Sequence, residues 1–142
     1  MVPSKRFKPI QKITSQRERK AAAALGESLQ QRKSAQQRLD ELRAYHADYL
    51  TRFARATNNG LSSSQIRECQ VFSGKLETAI SQQEEIVSQS QQDCDSSKAQ
   101  WRGRYTKSKA VQNAVERMRE TERKGKERTE QSESDERAQR KR

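Results

Sequence analysis

After Pro9 the chain contains no proline, and one strong break, Thr57-Asn58-Asn59-Gly60, divides the remaining residues into two long stretches. Proline ends helices because it lacks an N–H and clashes with the preceding turn. An Asn-Asn-Gly run supplies residues that tolerate positive φ, which a tight reversal needs. The pattern predicts two very long helices folded back on each other. Such a hairpin has little interior and no room for a buried active site. Its function should lie on its faces and ends.

Composition decides what kind of helix this is. Of 142 residues, 30% are hydrophobic and 35% are charged, too little apolar material for a globular core of that length. A disordered chain could share those averages, so the pattern must separate disorder from coiled coil. No run approaches the roughly 20 apolar residues of a membrane span. The N-terminal charges have no apolar run behind them, so this is not read as a secretion signal. The expected compartment is the cytoplasm.

A first helix is expected to begin near Ile10 to Thr14, after Pro9. Ala21, Leu25, Ser28, Arg32, Ala35, Leu39, Leu42, His46, Tyr49 and Phe53 then alternate at spacings of four and three, the seam of a coiled coil. The second helix has a marked start. Ser62-Ser63-Ser64-Gln65 fits a capping box, with Leu61 and Ile66 at the hydrophobic staple positions. From there one register runs through Ile66, Cys69, Ser73, Leu76, Ile80, Gln83, Val87, Ser90, Cys94, Ser97, Trp101, Arg104, Ser108, Val111, Val115 and Met118. Ten of those sixteen positions are apolar or cysteine, which a disordered segment would not sustain. A seven-residue repeat implies a left-handed supercoil.

The predicted fold class is therefore all-α, a long two-helix antiparallel coiled-coil hairpin whose second helix overhangs the first. The expected organisation is a flexible basic N-terminus (1–9), helix 1 (10–57), a turn (58–62), helix 2 (63–124) and a charged, frayed or disordered tail (125–142). With the reversal near Gly60, facing residues should have numbers that sum to roughly 120. Phe53 then meets Ile66, Leu42 meets Leu76, Leu39 meets Ile80, and Leu25 meets Cys94.

The two cysteines, Cys69 and Cys94, lie twenty-five residues apart on one predicted helix. That is about 37 Å at 1.5 Å per residue, too far to pair within it. With one histidine in the chain, a zinc cluster fails on ligand count. Both cysteines read as small seam residues. His46 sits on the seam between Leu42 and Tyr49 and reads as packing. No nucleophile–base constellation surrounds it, and no phosphate-cradling loop is present. The expectation is no enzyme, no metal, no cofactor and no small-molecule substrate.

The net charge of +11 is unevenly spread. Residues 1–24 carry seven Lys/Arg against one acid, and residues 98–124 carry nine against three, a net +6 in each segment. Residues 25–97 are near neutral, with eight basic and ten acidic. In a hairpin both basic segments reach the end opposite the turn. Such a pole suits an acidic protein surface, nucleic acid or anionic lipid. Aromatics available for base stacking among those basic residues are few, so nucleic acid is the weakest of the three.

Beside the seam, Phe72, Ala79 and Ile86 recur every seven residues. With Leu76 and Gln83 they form a flanking stripe on the second helix. It either folds over the seam's edge or docks a partner. Tyr45, Tyr49 and Leu50 share the zone.

The turn-proximal half resembles the flagellar FliJ family, small coiled-coil proteins of the bacterial flagellar type III export apparatus. The likeness rests on Leu42-x-x-Tyr45-x-x-x-Tyr49, Gly60, Gln70-x-Phe72-x-x-x-Leu76-x-x-Ala79-Ile80-x-x-Gln83 and Trp101. The resemblance implies a non-enzymatic stalk similar to the rotor shaft of rotary ATPases. It would connect a hexameric export ATPase to the membrane export gate, handle export chaperones, and serve flagellum assembly, motility and chemotaxis. It implies a cytoplasmic protein held at the inner membrane, at the flagellar base, only through the export apparatus. Phe72, Leu76, Ala79 and Gln83 would meet the gate's cytoplasmic domain. The ATPase ring would meet Lys5, Arg6, Lys8, Lys12, Arg17, Arg19, Lys20, Arg102, Arg104, Lys107, Lys109, Arg117 and Arg119.

Three other readings share much of this pattern. The equivalent stalk of a virulence secretion system would have the same architecture. A basic coiled coil could bind nucleic acid. A homodimer of unfolded-back helices is disfavoured by the Asn-Asn-Gly break and the capping box.

Overall fold

The computed structural model describes residues 3–141 and contains two helices, α1 (Pro3–Asn58, 56 residues) and α2 (Ser63–Arg140, 78 residues), with no strand among the described residues. The chain divides into two compact units. Unit 1 is Met1–Ala23 with Ala99–Arg142, and unit 2 is Ala24–Lys98.

Unit 2 is a helical hairpin closed by the predicted turn. Gly60 is the one described residue with a left-handed backbone, at φ 89°, the conformation glycine adopts without a Cβ penalty. The capping box forms as a reciprocal pair. The Gln65 N–H donates to Ser62 Oγ at 3.2 Å, and the Ser62 N–H donates to Gln65 Oε1 at 3.0 Å. Two orphan donors of the α2 N-terminus are thereby satisfied. Ala35, Leu39, Leu76 and Cys94 are buried along the seam. Polar pairs bridge it as well. His46 Nε2 lies 3.2 Å from Ser73 Oγ, Ser28 Oγ lies 2.9 Å from Ser97 Oγ, and Gln83 Nε2 donates to the Ala35 carbonyl at 2.9 Å. His46–Ser73 and Gln83–Ala35 keep the antiparallel register that the turn at Gly60 predicts, whereas Ser28–Ser97 is offset from it by about five residues.

Unit 1 pairs the start of α1 with α2 in the same antiparallel sense. Trp101 Nε1–H donates to Glu18 Oε1 at 2.9 Å. Val115 is buried on the α2 side, and Ser4 and Thr14 on the α1 side. The predicted seam positions of α2 from Ile66 to Met118 are all buried or half-buried except Arg104, and those of α1 are so except Arg32. A long cationic side chain at a seam position reaches out to water along the helix flank, which explains both.

Two boundaries differ from expectation. α1 begins at Pro3, not near Ile10, so residues 3–9 are helical. Proline is well suited to the first position of a helix, where its missing N–H is an orphan anyway. The first turn is also tied down by the other helix. The Ser4 N–H donates to Glu122 Oε1 at 3.0 Å, and the Ser4 hydroxyl donates to Oε2 at 2.7 Å. Glu122 thus caps α1 from across the pair. Pro9, expected to precede the helix, lies inside α1 on an exposed face. There water can serve the Lys5 carbonyl that loses its helical donor.

The second difference is the tail. α2 continues past Gly125 to Arg140. Past Glu122 it has no α1 residue to pair with and is exposed throughout. Intrahelical pairs lace this stretch, including Arg123–Glu120, Arg123–Glu127 and Arg137–Glu133. Such pairs each add only a few tenths of a kcal/mol.

Candidate functional site: an aromatic edge and a basic unit

Two surfaces stand out, one in each unit. The first is an aromatic edge on unit 2. Phe72 packs against Tyr49 with ring centroids 4.8 Å apart, and meets Tyr45 edge-on at 6.4 Å and 78°. Edge-to-face contact is favoured because the ring rim is positive and its face negative. Phe72 still stands 38% exposed and Tyr45 52% exposed. Cys69, beside Tyr49, holds its phenol up at about 12, first by hydrogen bonding and then by burial. Tyr49 therefore stays neutral across the physiological range and acts as a packing surface.

Along the same flank, Ala79 and Ile86 line a groove of about 490 Å³ with Ser34, Arg38, Leu42 and Gln82, and Ala35 and Gln83 form its floor at the seam. Ile86 is exposed and Ala79 half-buried. The expected gate contacts thus divide into two groups. Phe72 and Ala79 present surface. Leu76 and Gln83 face the seam, the first buried among apolar neighbours and the second bonded to the Ala35 carbonyl. The seam register read from the sequence already holds Leu76 and Gln83 and leaves Phe72 and Ala79 beside it, and the burial follows that register. Arg38 and Gln82 join the groove without any sequence signal beyond their place beside Leu42 and Gln83.

The second surface is unit 1 as a whole. It carries twenty-one Lys/Arg against nine acids, a net +12, while unit 2 carries nine against ten, a net −1. All thirteen cations expected at an ATPase ring lie in unit 1, and all are exposed. No ion pair among the described residues uses any of them. Lys5, Lys8 and Lys12 line one groove of about 780 Å³ with Pro9, Gln11, Ser15, Ser108 and Gln112. Lysines held this close along one flank raise the local positive potential and favour an acidic partner.

The chemistry of catalysis is thin. The described residues hold no group of three or more His, Cys, Asp or Glu placed to bind a metal ion. Cys69 and Cys94 are free, half-buried and buried respectively. His46 lies 3.8 Å from Glu77, with Ser73 between the helices. That arrangement packs a seam and presents no nucleophile to solvent. No described helix is long and apolar enough to cross a membrane.

No curated protein and no solved structure matches the chain. A family model does, the one described as flagellar FliJ protein, over residues 4–141. That span includes both units and both surfaces, and the chain belongs to the FliJ family of flagellar export components.

Proposed function

We propose that this protein is a non-enzymatic coupling stalk of flagellar protein export. In this reading it links the hexameric export ATPase to the cytoplasmic domain of the membrane export gate, at the cytoplasmic face of the inner membrane. It also handles export chaperones. The observation that carries the reading is the division of surface between the units. Nearly all the excess charge belongs to unit 1, and the exposed aromatic edge belongs to unit 2. Two surfaces of different chemistry suit two different partners. A plain spacer needs neither.

The basic unit docks on the ATPase ring through free cations such as Lys5, Lys12, Arg104 and Lys107. The gate domain docks on Phe72, Ala79 and Ile86. Leu76 and Gln83 support that edge from behind by fixing the seam under it. The flagellar family match favours the flagellar machine over a virulence secretion system.

Pull-down with each partner tests the proposal. Phe72→Ala combined with Ile86→Glu should abolish capture by the gate domain and leave ATPase capture and helicity unchanged. Capture of the double variant at wild-type level would rule out the aromatic edge as the gate contact.

A further inference from the structure

The first helical turns of unit 1 are built the wrong way round for a helix that only has to pack. The α1 residues buried or half-buried at the seam there are Ser4, Gln11, Thr14, Ser15 and Glu18, all polar. The bulky Ile10 and Ile13 of the same segment point elsewhere, 44% and 47% exposed. At 100° per residue they lie about 60° apart, on the flank away from Lys5, Lys8 and Lys12. Phe7 stays at the seam, seven residues before buried Thr14 and fourteen before half-buried Ala21. Arg6 and Arg17 lie on the isoleucine flank, one turn before Ile10 and one turn after Ile13.

The segment's only acid, Glu18, is turned to the seam and accepts from the Trp101 indole, so it does not offset these cations at the surface. The result is a short apolar stripe on a basic helix, with free arginines at its ends and free lysines on the opposite flank. Two side chains fall far short of the roughly 1,000 Å² a stable protein interface needs. A bilayer surface makes no such demand. There the apolar insertion and the attraction of each Lys or Arg to anionic headgroups add, and long basic side chains reach back to the phosphates.

We propose that residues 6–17 of α1 form an interfacial lipid-binding stripe, which lays Ile10 and Ile13 into an anionic bilayer surface while Arg6 and Arg17 take headgroup phosphates. Ile10 and Ile13 belong to neither docking surface, whereas Arg6 and Arg17 are shared with the cations expected at the ATPase ring. The stripe would give the protein direct contact with the membrane besides any contact made through partners.

Co-sedimentation of the full chain with vesicles tests this. Vesicles containing phosphatidylglycerol should retain the protein, and vesicles of phosphatidylcholine alone should not. Ile10→Gln with Ile13→Gln removes only exposed apolar surface and should lower partitioning roughly tenfold with far-UV helicity unchanged. Arg6→Gln with Arg17→Gln should lower it by roughly an order of magnitude as well. Equal binding of the isoleucine variant and the wild type would overturn the proposal, since unit 1 would then be adsorbing by charge alone. No retention of the wild type on anionic vesicles would overturn it too. So would retention lost in the isoleucine variant only when ATPase is present, which would make the stripe a protein contact. The vesicle results for the isoleucine variant without ATPase leave the pull-downs with the ATPase and the gate domain untouched, so the two readings fail separately.

Discussion

Gln83 offers the sharpest separation of a seam residue from a docking residue. Its side-chain amide is 5% exposed and donates to the Ala35 carbonyl at 2.9 Å. That carbonyl lies inside α1, where the helical ladder already gives it the Leu39 N–H. The amide is therefore a second donor to an acceptor that has two lone pairs. Gln83→Ala removes a buried hydrogen bond and leaves a gap on the seam, so it should cost about 1–2 kcal/mol. Gln83→Leu removes the same bond, leaves no carbonyl orphaned and adds apolar contact. It should lie within about 1 kcal/mol of wild type, on the stabilising side if the leucine packs well. Urea unfolding followed by far-UV circular dichroism measures both. Neither change should weaken capture by the export-gate domain while the protein is folded. A Gln83→Ala variant as stable as wild type but defective in gate capture would refute the reasoning and return Gln83 to the surface.

Other consequences arise from single contacts. Ser62→Ala should cost about 1 kcal/mol by removing the acceptor for the Gln65 N–H, with Ser62→Gly milder, as read by the same unfolding experiment. The two donors of Ser4 hold the Glu122 carboxyl below its ordinary range, first through the backbone N–H and then through the hydroxyl. A depressed folded-state pKa means stabilisation that is present above the unfolded value of about 4.3 and lost as pH falls through the lowered one. Amide hydrogen exchange in residues 4–8 should therefore accelerate on acidification below about pH 4, beyond the intrinsic pH effect. Glu122→Gln should show faster exchange there already at neutral pH, and equal protection in the two proteins would contradict the cap. Tyr49, held at about 12, keeps its share of stability below the ordinary phenol pKa and loses it only as pH rises through that raised value. An ultraviolet titration should show one tyrosine ionising late, and Cys69→Ala should bring it back toward about 10.

Sequence and structure agree where the physics is local and periodic. The register from Ile66 to Met118 could be read because each helical turn repeats the same demand for an inward residue. The start of α2 was legible because its cap is made by residues three apart, Ser62 and Gln65. The start of α1 was not, because its cap comes from Glu122, 118 residues away, and Pro9 in isolation reads as a stop. The aromatic edge was legible as a stripe from its seven-residue recurrence. Its division follows the seam register, which holds Leu76 and Gln83 and leaves Phe72 and Ala79 beside it; only the bond from Gln83 to the Ala35 carbonyl had no signal in the sequence. Charge counting along the chain found the basic segments. It could not find that Ile10 and Ile13 are turned out, because the seam near Ser4, Thr14 and Glu18 is polar.

Two chemically distinct surfaces should engage two partners at once. Sedimentation velocity of the full chain with the export ATPase and the gate's cytoplasmic domain, each alone and both together, tests this most directly. A three-component complex is the expected result. Lys5, Lys8 and Lys12 changed together to Glu should remove the ATPase from it, and Phe72→Ala with Ile86→Glu should remove the gate domain. Displacement of one partner by the other, with no species containing all three, would contradict the coupling role.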